Sequence, residues 1–163
     1  FSINLSGASL SDPVFRVHLL NSLQQPDIPL DKIGLEVTET SSITYLPEVE
    51  RLFRELTYRG CSFYLDDFGT GFASFQYLQN LPFDYIKIDG SFVKRIANEP
   101  NDWTIVKSIA DLARYLGKKT VAEHVSDQIV FDTLRDIGVD YVQGYHISEP
   151  FWLDELPGRH LVL

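Results

Sequence analysis

Six short apolar runs recur along the chain, and the amphipathic stretches between them make this alternation the strongest constraint on its fold. The strand-like runs are Ser2–Leu5, Ile33–Thr38, Ser62–Asp67, Tyr85–Asp89, Thr120–Val125 and Asp140–Ile147. The first helix-like stretch is Asp12–Gln24, with Ser11 or Asp12 placed to cap it and Pro13 in its first turn. Pro47–Arg59 stops at Gly60, Ser74–Asn80 is short, Asp102–Leu116 stops at Gly117, and Asp127–Ile137 stops at Gly138. Strands joined through helices form right-handed crossovers and a parallel sheet. Two architectures satisfy that order, a doubly wound sheet and the wall of a (β/α)8 barrel.

Polar residues inside the strands separate the two. Successive side chains of a strand point to opposite faces. Ile3 and Leu5, Leu35 and Val37, Phe63 and Leu65, and Ile86 and Ile88 form an apolar set suited to packing beneath helices. The other set holds Asn4, Glu36, Asp66, Lys87, Glu123 and Gln143, each in or near the C-terminal half of its strand. One polar side chain per strand on a single parity converges if the sheet curls, and barrel enzymes build their sites at that rim. The expected fold is a modified TIM-type (β/α)8 barrel, an α/β fold represented here by about six βα units, with about two more expected on the N-terminal side. The domain is expected over residues 1–156, with 157–163 as a tail beginning at Pro157-Gly158.

Composition narrows the function classes. A chain of 163 residues with 44% hydrophobic and 23% charged residues fits one globular domain with a real core. No apolar run is long enough to span a bilayer, and no signal-peptide pattern opens the chain. A single cysteine, Cys61, excludes an internal disulfide and suits a reducing compartment, so a cytoplasmic location is expected. The net charge of -9 argues against DNA or RNA as a partner. A phosphate-bearing ligand stays open, because carboxylates can hold divalent cations that attract phosphate. The chain opens at Phe1 and contains no methionine, which reads as a piece of a longer protein.

The sharpest motif is Asp66-Asp67-Phe68-Gly69-Thr70-Gly71. Adjacent aspartates at a strand end can face different sides of a bend and ligate two hard cations. They can equally cap a helix and meet solvent. Five further inward polar residues favour the ligand reading. Asn4 sits mid-strand, where asparagine is depleted, and a metal-ligating amide oxygen explains it better than a turn does. Glu36 faces inward, whereas Glu39 lies just past its strand, where capping or a salt bridge explains it as well as a role in the site. Lys87 lies between Ile86 and Ile88, and a lysine inside a barrel is costly unless paired. It is either a structural salt bridge or a cation that orients an attacking water or neutralises a phosphate. Glu123 and Gln143 complete the ring. None of the four histidines shows metal-ligand spacing, and His124, on the opposite parity from Glu123, is expected outside the cluster.

Asn4-Leu5-Ser6, Glu36-Val37-Thr38-Glu39, the Asp66–Gly71 motif, Lys87-Ile88-Asp89, Ala122-Glu123 and Gln143-Gly144-Tyr145, with Pro150 after them, resemble the EAL phosphodiesterase family in order and approximate spacing. The resemblance runs from Phe1 to about Leu156. It implies hydrolysis of cyclic di-GMP to the linear dinucleotide, in bacterial second-messenger signalling, with two Mg²⁺ or Mn²⁺ ions about 3.5–4 Å apart. By position it implies Asn4, Glu36 and Asp66 as ligands of one ion, and Asp66, Asp67 and Glu123 as ligands of the second or of its water. It further implies Lys87 holding the nucleophilic water, Glu123 as a base, Gln143 close to metal and substrate, and Glu39 bracing the loop Phe68–Ser74. A homodimer and further signalling domains upstream are expected on the same basis.

Two departures stand out. The Glu-Ala-Leu segment that names the family, and supplies a further ligand, would precede Phe1, so the 163-residue piece alone is expected to be inactive. Ser126, beside Asp127, stands where the family commonly carries a second glutamate. The alternative reading is a catalytically degenerate domain that binds cyclic di-GMP or a partner protein without cleavage.

Overall fold

In a computed structural model, residues 1–25, 27–38, 47–71, 78, 81–152 and 154–155 are described. Local chemistry accounts for most of the element boundaries. Strand β1 (Ser2–Leu5) leads into two helices, α1 (Gly7–Ser11) and α2 (Pro13–Leu23), where the sequence predicts one helix. Asp12 divides them, because its carboxylate accepts the Val14 N–H at 2.8 Å and Pro13 takes the first helical position. A short 3₁₀ turn (Leu30–Lys32) precedes β2 (Gly34–Thr38). Then follow α3 (Pro47–Tyr58), β3 (Ser62–Phe68), β4 (Tyr85–Ile88), α4 (Gly90–Val93), α5 (Pro100–Tyr115), β5 (Lys119–Ala122), α6 (Gln128–Ile137) and β6 (Tyr141–Val142). Of the expected helix over Ser74–Asn80 only Leu78, helical and buried, is described, and the tail from Pro157 lies outside the described residues.

The six strands form one sheet in the order β1-β2-β3-β4-β5-β6, and every pairing is parallel. A doubly wound sheet reverses its strand order at a switch point. Sequential order without reversal is the wall of a barrel. Among the described residues, β1 and β6 do not pair with each other.

The convex face carries the core. Leu35, Val37, Phe63, Leu65, Ile86, Ile88 and Ala122 are buried there, each contributing on the order of 1.5–3 kcal/mol for the larger side chains. Helix α3 turns Val49, Leu52, Phe53 and Leu56 inward at helical spacing, and Phe53 stacks on Phe63 with ring centroids 4.1 Å apart. Helices α5 and α6 do the same with Val106, Ile109, Ala113, Val130, Leu134 and Ile137. Ile3 departs from the expected pattern: it is 45% exposed on β1, an end strand of the sheet.

Two aspartates fix the lower register. Asp84, just before β4, accepts the Phe63 N–H at 2.9 Å, and Asp140, just before β6, accepts the Thr120 N–H at 3.0 Å. The upper end of β3 is irregular. Leu65 pairs with Ile86 and Phe68 with Ile88, so three steps along β3 span two along β4. This bulge falls on Asp66–Asp67, and Asp67 has a φ of 55°.

Candidate functional site

The bulge decides how the two aspartates meet the rest of the rim. Strand alternation turns Tyr64 and Asp66 to the concave face and would send Asp67 to the helix side. The extra residue breaks that alternation. Phe68 returns to the core at 4% exposure, and the carboxylates of Asp66 and Asp67 gather with that of Glu123, with oxygens within 4.8 Å of one another.

Lys87 occupies the centre. Its ammonium lies 2.6 Å from Glu36, 2.7 Å from Glu123 and 3.0 Å from Asp66, and its side chain is only 6% exposed. An ammonium has three N–H donors, and here each faces a carboxylate. Burial alone would lower the Lys87 pKa, but hydrogen bonds to Glu123, Glu36 and Asp66 outweigh it and raise the value, so the charge is fixed. Asp67 is pushed the other way from a free carboxylate, upward, by burial and then by the charges of Asp66, Asp89 and Glu123. Asp89 caps α4 by accepting the Ser91 N–H at 2.9 Å. Burial opposes its ionisation, yet the bonds from Ser91, the His124 charge and a hydrogen bond from Asp67 hold it below the usual range.

The remaining predicted residues take defined places. Asn4 pairs in register with Glu36 and is exposed. Glu123 lies one residue beyond β5, which ends at Ala122 rather than at the expected Val125. Gln143 likewise lies just beyond β6, which spans two residues where eight were expected, and its side chain is exposed. Both strands shorten because the chain turns: His124 has a φ of 57°, and Gly144 follows Gln143 with a φ of 156°. The His124 ring packs toward Gly90, while the carboxylate cluster comprises Asp66, Asp67 and Glu123. Glu39 lies outside the described residues. Ser126 donates to Asp127 at 2.8 Å, and Asp127 accepts the N–H groups of Ile129 and Val130, so it serves as the cap of α6.

A cavity of about 460 Å³ runs along the concave face from the N-terminal strand ends, where Ser2, Gly34 and Ser62 line it, past Tyr64, Tyr85 and Tyr141 to Glu36, Lys87 and Gln143; Asp66, Asp67 and Glu123 are not in its lining. Tyr64 and Tyr85 stack at 4.4 Å, and Tyr141 meets Tyr85 at 5.9 Å. Strand parity puts Tyr64 with Asp66 and Tyr85 with Lys87, so the alternation that marks the charged residues also marks this aromatic row.

One buried ammonium stands against five carboxylates, those of Glu36, Asp66, Asp67, Asp89 and Glu123. Oxygen donors at this spacing fit a hard divalent cation, and the Asp67 pKa, raised first by burial and then by the neighbouring carboxylates, reflects in part the negative charge such a cation would relieve.

Residues 1–150 match the EAL domain family. Among curated proteins the chain is similar to the cyclic di-GMP phosphodiesterase PdeB of Shewanella oneidensis, at 47% identity over 149 residues, covering 91% of this chain and 17% of PdeB. It is also similar to the cyclic di-GMP phosphodiesterase PdeA of Borreliella burgdorferi, at 40% identity over 152 residues, covering 92% of this chain and 23% of that protein. Among solved structures, the EAL enzyme Bd1971 in its cAMP- and cyclic-di-GMP-bound form superposes with a TM-score of 0.86 at 31% identity, over 95% of this chain and 41% of that one. The chain thus spans less than a quarter of the length of either curated relative.

Proposed function

This chain belongs to the EAL domain family, and from that membership we propose that the protein containing it hydrolyses cyclic di-GMP, opening one phosphodiester bond to give the linear dinucleotide. The observation that carries the reading is the Lys87 ammonium held among Glu36, Asp66 and Glu123, beside the carboxylate group of Asp66, Asp67 and Glu123. A buried lysine that served stability alone would need one carboxylate for its charge and could meet its other two N–H groups with neutral acceptors. A cation surrounded by excess carboxylate is an arrangement for recruiting further positive charge and then phosphate.

Asp66, Asp67 and Glu123, with Glu36 and Asn4, are the proposed ligands of two Mg²⁺ or Mn²⁺ ions. When bound, such ions would lower the pKa of a water and stabilise charge on the phosphoryl oxygens. Glu123, 2.7 Å from the Lys87 ammonium, is the proposed base for a water held there. Lys87 donates all three of its N–H bonds to carboxylates in this structure, so one of them must be released for it to orient that water. Its fixed charge then supports the charge that develops on the phosphate. Gln143, at the cavity wall, is proposed to contact substrate, and Glu39 to brace the loop after Asp67. Among the described residues no helix is long and apolar enough to cross a membrane. A cytoplasmic, dimeric protein with additional signalling domains completes the proposal, the last point supported by the greater length of the relatives.

The test is the full-length protein with cyclic di-GMP, with and without Mn²⁺, followed by chromatography of the products. The reading expects the linear dinucleotide only with metal. Tight nucleotide binding without any cleavage would favour the degenerate alternative instead.

A further inference from the structure

Glu123 does not sit on a strand. It sits on a three-residue turn, Glu123-His124-Val125, whose conformation is held by contacts from both neighbouring strand ends. On one side, the Glu123 N–H reaches the Ile88 carbonyl at 3.3 Å, and the imidazole of His124 lies over the Cα of Gly90, the first residue of α4. A Cβ at position 90 would come within 2.6 Å of His124 Cγ and 3.0 Å of its Cβ, and closer still to Nδ1. Rotating the ring relieves the contacts with Cγ and Nδ1 but leaves a tight 3.0 Å contact with His124 Cβ, an atom fixed to the backbone that must give by a few tenths of an ångström. On the other side, the Val125 N–H donates to the Gln143 carbonyl at 3.0 Å, and the Val125 carbonyl accepts from His146 at 3.0 Å. Gly144 lies so close to this stretch that a Cβ there would reach 2.9 Å from the Val125 carbonyl carbon and overlap its N and O.

We infer that Gly90 and Gly144 are positioning residues for Glu123: they let the ends of β4 and β6 close on the turn and so set where its carboxylate stands relative to Lys87 and Asp66. Each glycine follows the site at a comparable place, Gly90 after Asp89 and Gly144 after Gln143. The two contacts differ in kind. Gly90 meets a side chain, so the fit is a matched pair with His124, a residue that holds a left-handed backbone at a φ of 57°. Gly144 meets backbone, so no change at another side chain can make room for a larger residue there.

The inference rests on the reading of Glu123 as a metal ligand and base, and the experiment separates the two. In the full-length protein, Gly90→Ala, Gly144→Ala, His124→Gly and the double variant Gly90→Ala/His124→Gly are compared for Mn²⁺ affinity by calorimetry, for kcat and KM, and for thermal unfolding. Moving a group that orients a ligand typically costs about 10- to 100-fold in metal affinity or activity. Gly90→Ala is expected to weaken Mn²⁺ binding and lower kcat by that amount, with KM within about twofold and the protein still folded at the assay temperature. Adding His124→Gly should return both values to within about threefold of the His124→Gly single variant, whereas the same change should not rescue Gly144→Ala. If Gly90→Ala fails to fold, a folded double variant with Mn²⁺ affinity intact still supports the pairing, and an unfolded or Mn²⁺-blind double variant overturns it. Gly90→Ala with unchanged Mn²⁺ affinity and kcat also overturns it. A wild type that binds Mn²⁺ without hydrolysing cyclic di-GMP removes the proposed activity, and the Mn²⁺ series then decides the positioning role on its own.

Discussion

Replacing Lys87 by methionine keeps most of the side-chain volume and removes the charge. The Lys87 side chain is 6% exposed, and its ammonium sits 2.6, 2.7 and 3.0 Å from the carboxylates of three side chains that are themselves 10–13% exposed. At an effective dielectric of about 20, unit charges 4 Å apart interact by about 4 kcal/mol, so without the cation Glu36, Asp66 and Glu123 repel one another strongly. Removing one partner from a buried ion pair costs about 3–5 kcal/mol. For a domain of this size each kcal/mol lowers the melting temperature by roughly 2–4 °C, which gives an expected loss of roughly 6–20 °C in EDTA at pH 7.5. The pH dependence has a definite sign. The Lys87 pKa is raised on folding, so its stabilisation is present below about pH 10 and is lost only in stronger alkali. Between pH 7.5 and pH 5 Lys87 keeps its charge, so its contribution to the gap does not grow in acid. Added Mn²⁺ should narrow the gap, by supplying positive charge to the same oxygens. Circular dichroism melts in EDTA, at both pH values and then with Mn²⁺, make the measurement. Equal melting of wild type and variant in EDTA, or a gap that widens at pH 5, would refute the assignment of Lys87 as the counter-ion of this cluster. In the full-length protein turnover should fall by about 100- to 1000-fold, with substrate binding largely intact.

Four other outcomes are expected. Asp66→Asn should weaken Mn²⁺ binding by about tenfold or more in calorimetry, since it neutralises a residue shared by Lys87 and the carboxylate group; Ca²⁺ should bind but inhibit turnover, because its looser geometry positions water poorly. Asp140→Ala should cost about 1–3 kcal/mol in urea unfolding, as it strips the buried Thr120 N–H and hydroxyl of their acceptor. Although burial opposes it, bonds from Lys119 and Thr120 hold the Asp140 pKa below the usual range, so its stabilisation is present above about pH 4 and disappears as pH falls through the folded value. Cys61, buried and donating to the Ile33 carbonyl, has its thiol pushed up to about 11 by burial and then by the Asp84 charge; thiol reagents at pH 8 should label it only at the rate of unfolding, and immediate labelling of the folded protein would contradict its burial.

Secondary structure and the polar ring were legible in the chain because side-chain period is a local property. Alternation in Leu35-Glu36-Val37 and Ile86-Lys87-Ile88 shows in three residues which side chain faces the helices and which the barrel axis. The parallel sheet followed from the order of strands and helices, and the choice of a barrel from polar residues recurring on one parity. Where alternation stops, so did the prediction. At Asp66–Asp67 a bulge set by pairing with β4 brings both carboxylates to the site, and local pattern gives no sign that a strand will take an extra residue there. The apolar run from Thr120 to Val125 reads as one strand, yet β5 ends at Ala122, because a turn packed against Gly90 and Gly144 carries Glu123. That Lys87 meets Glu36, Asp66 and Glu123 together depends on register across four strands. Ile3 shows the same limit from the other side: its parity is that of a core residue, but burial depends on which neighbours cover it, and β1 leaves it 45% exposed. Within a regular strand a residue's facing is decided by its nearest neighbours in the chain, whereas bulges and partners are decided by segments tens of residues away.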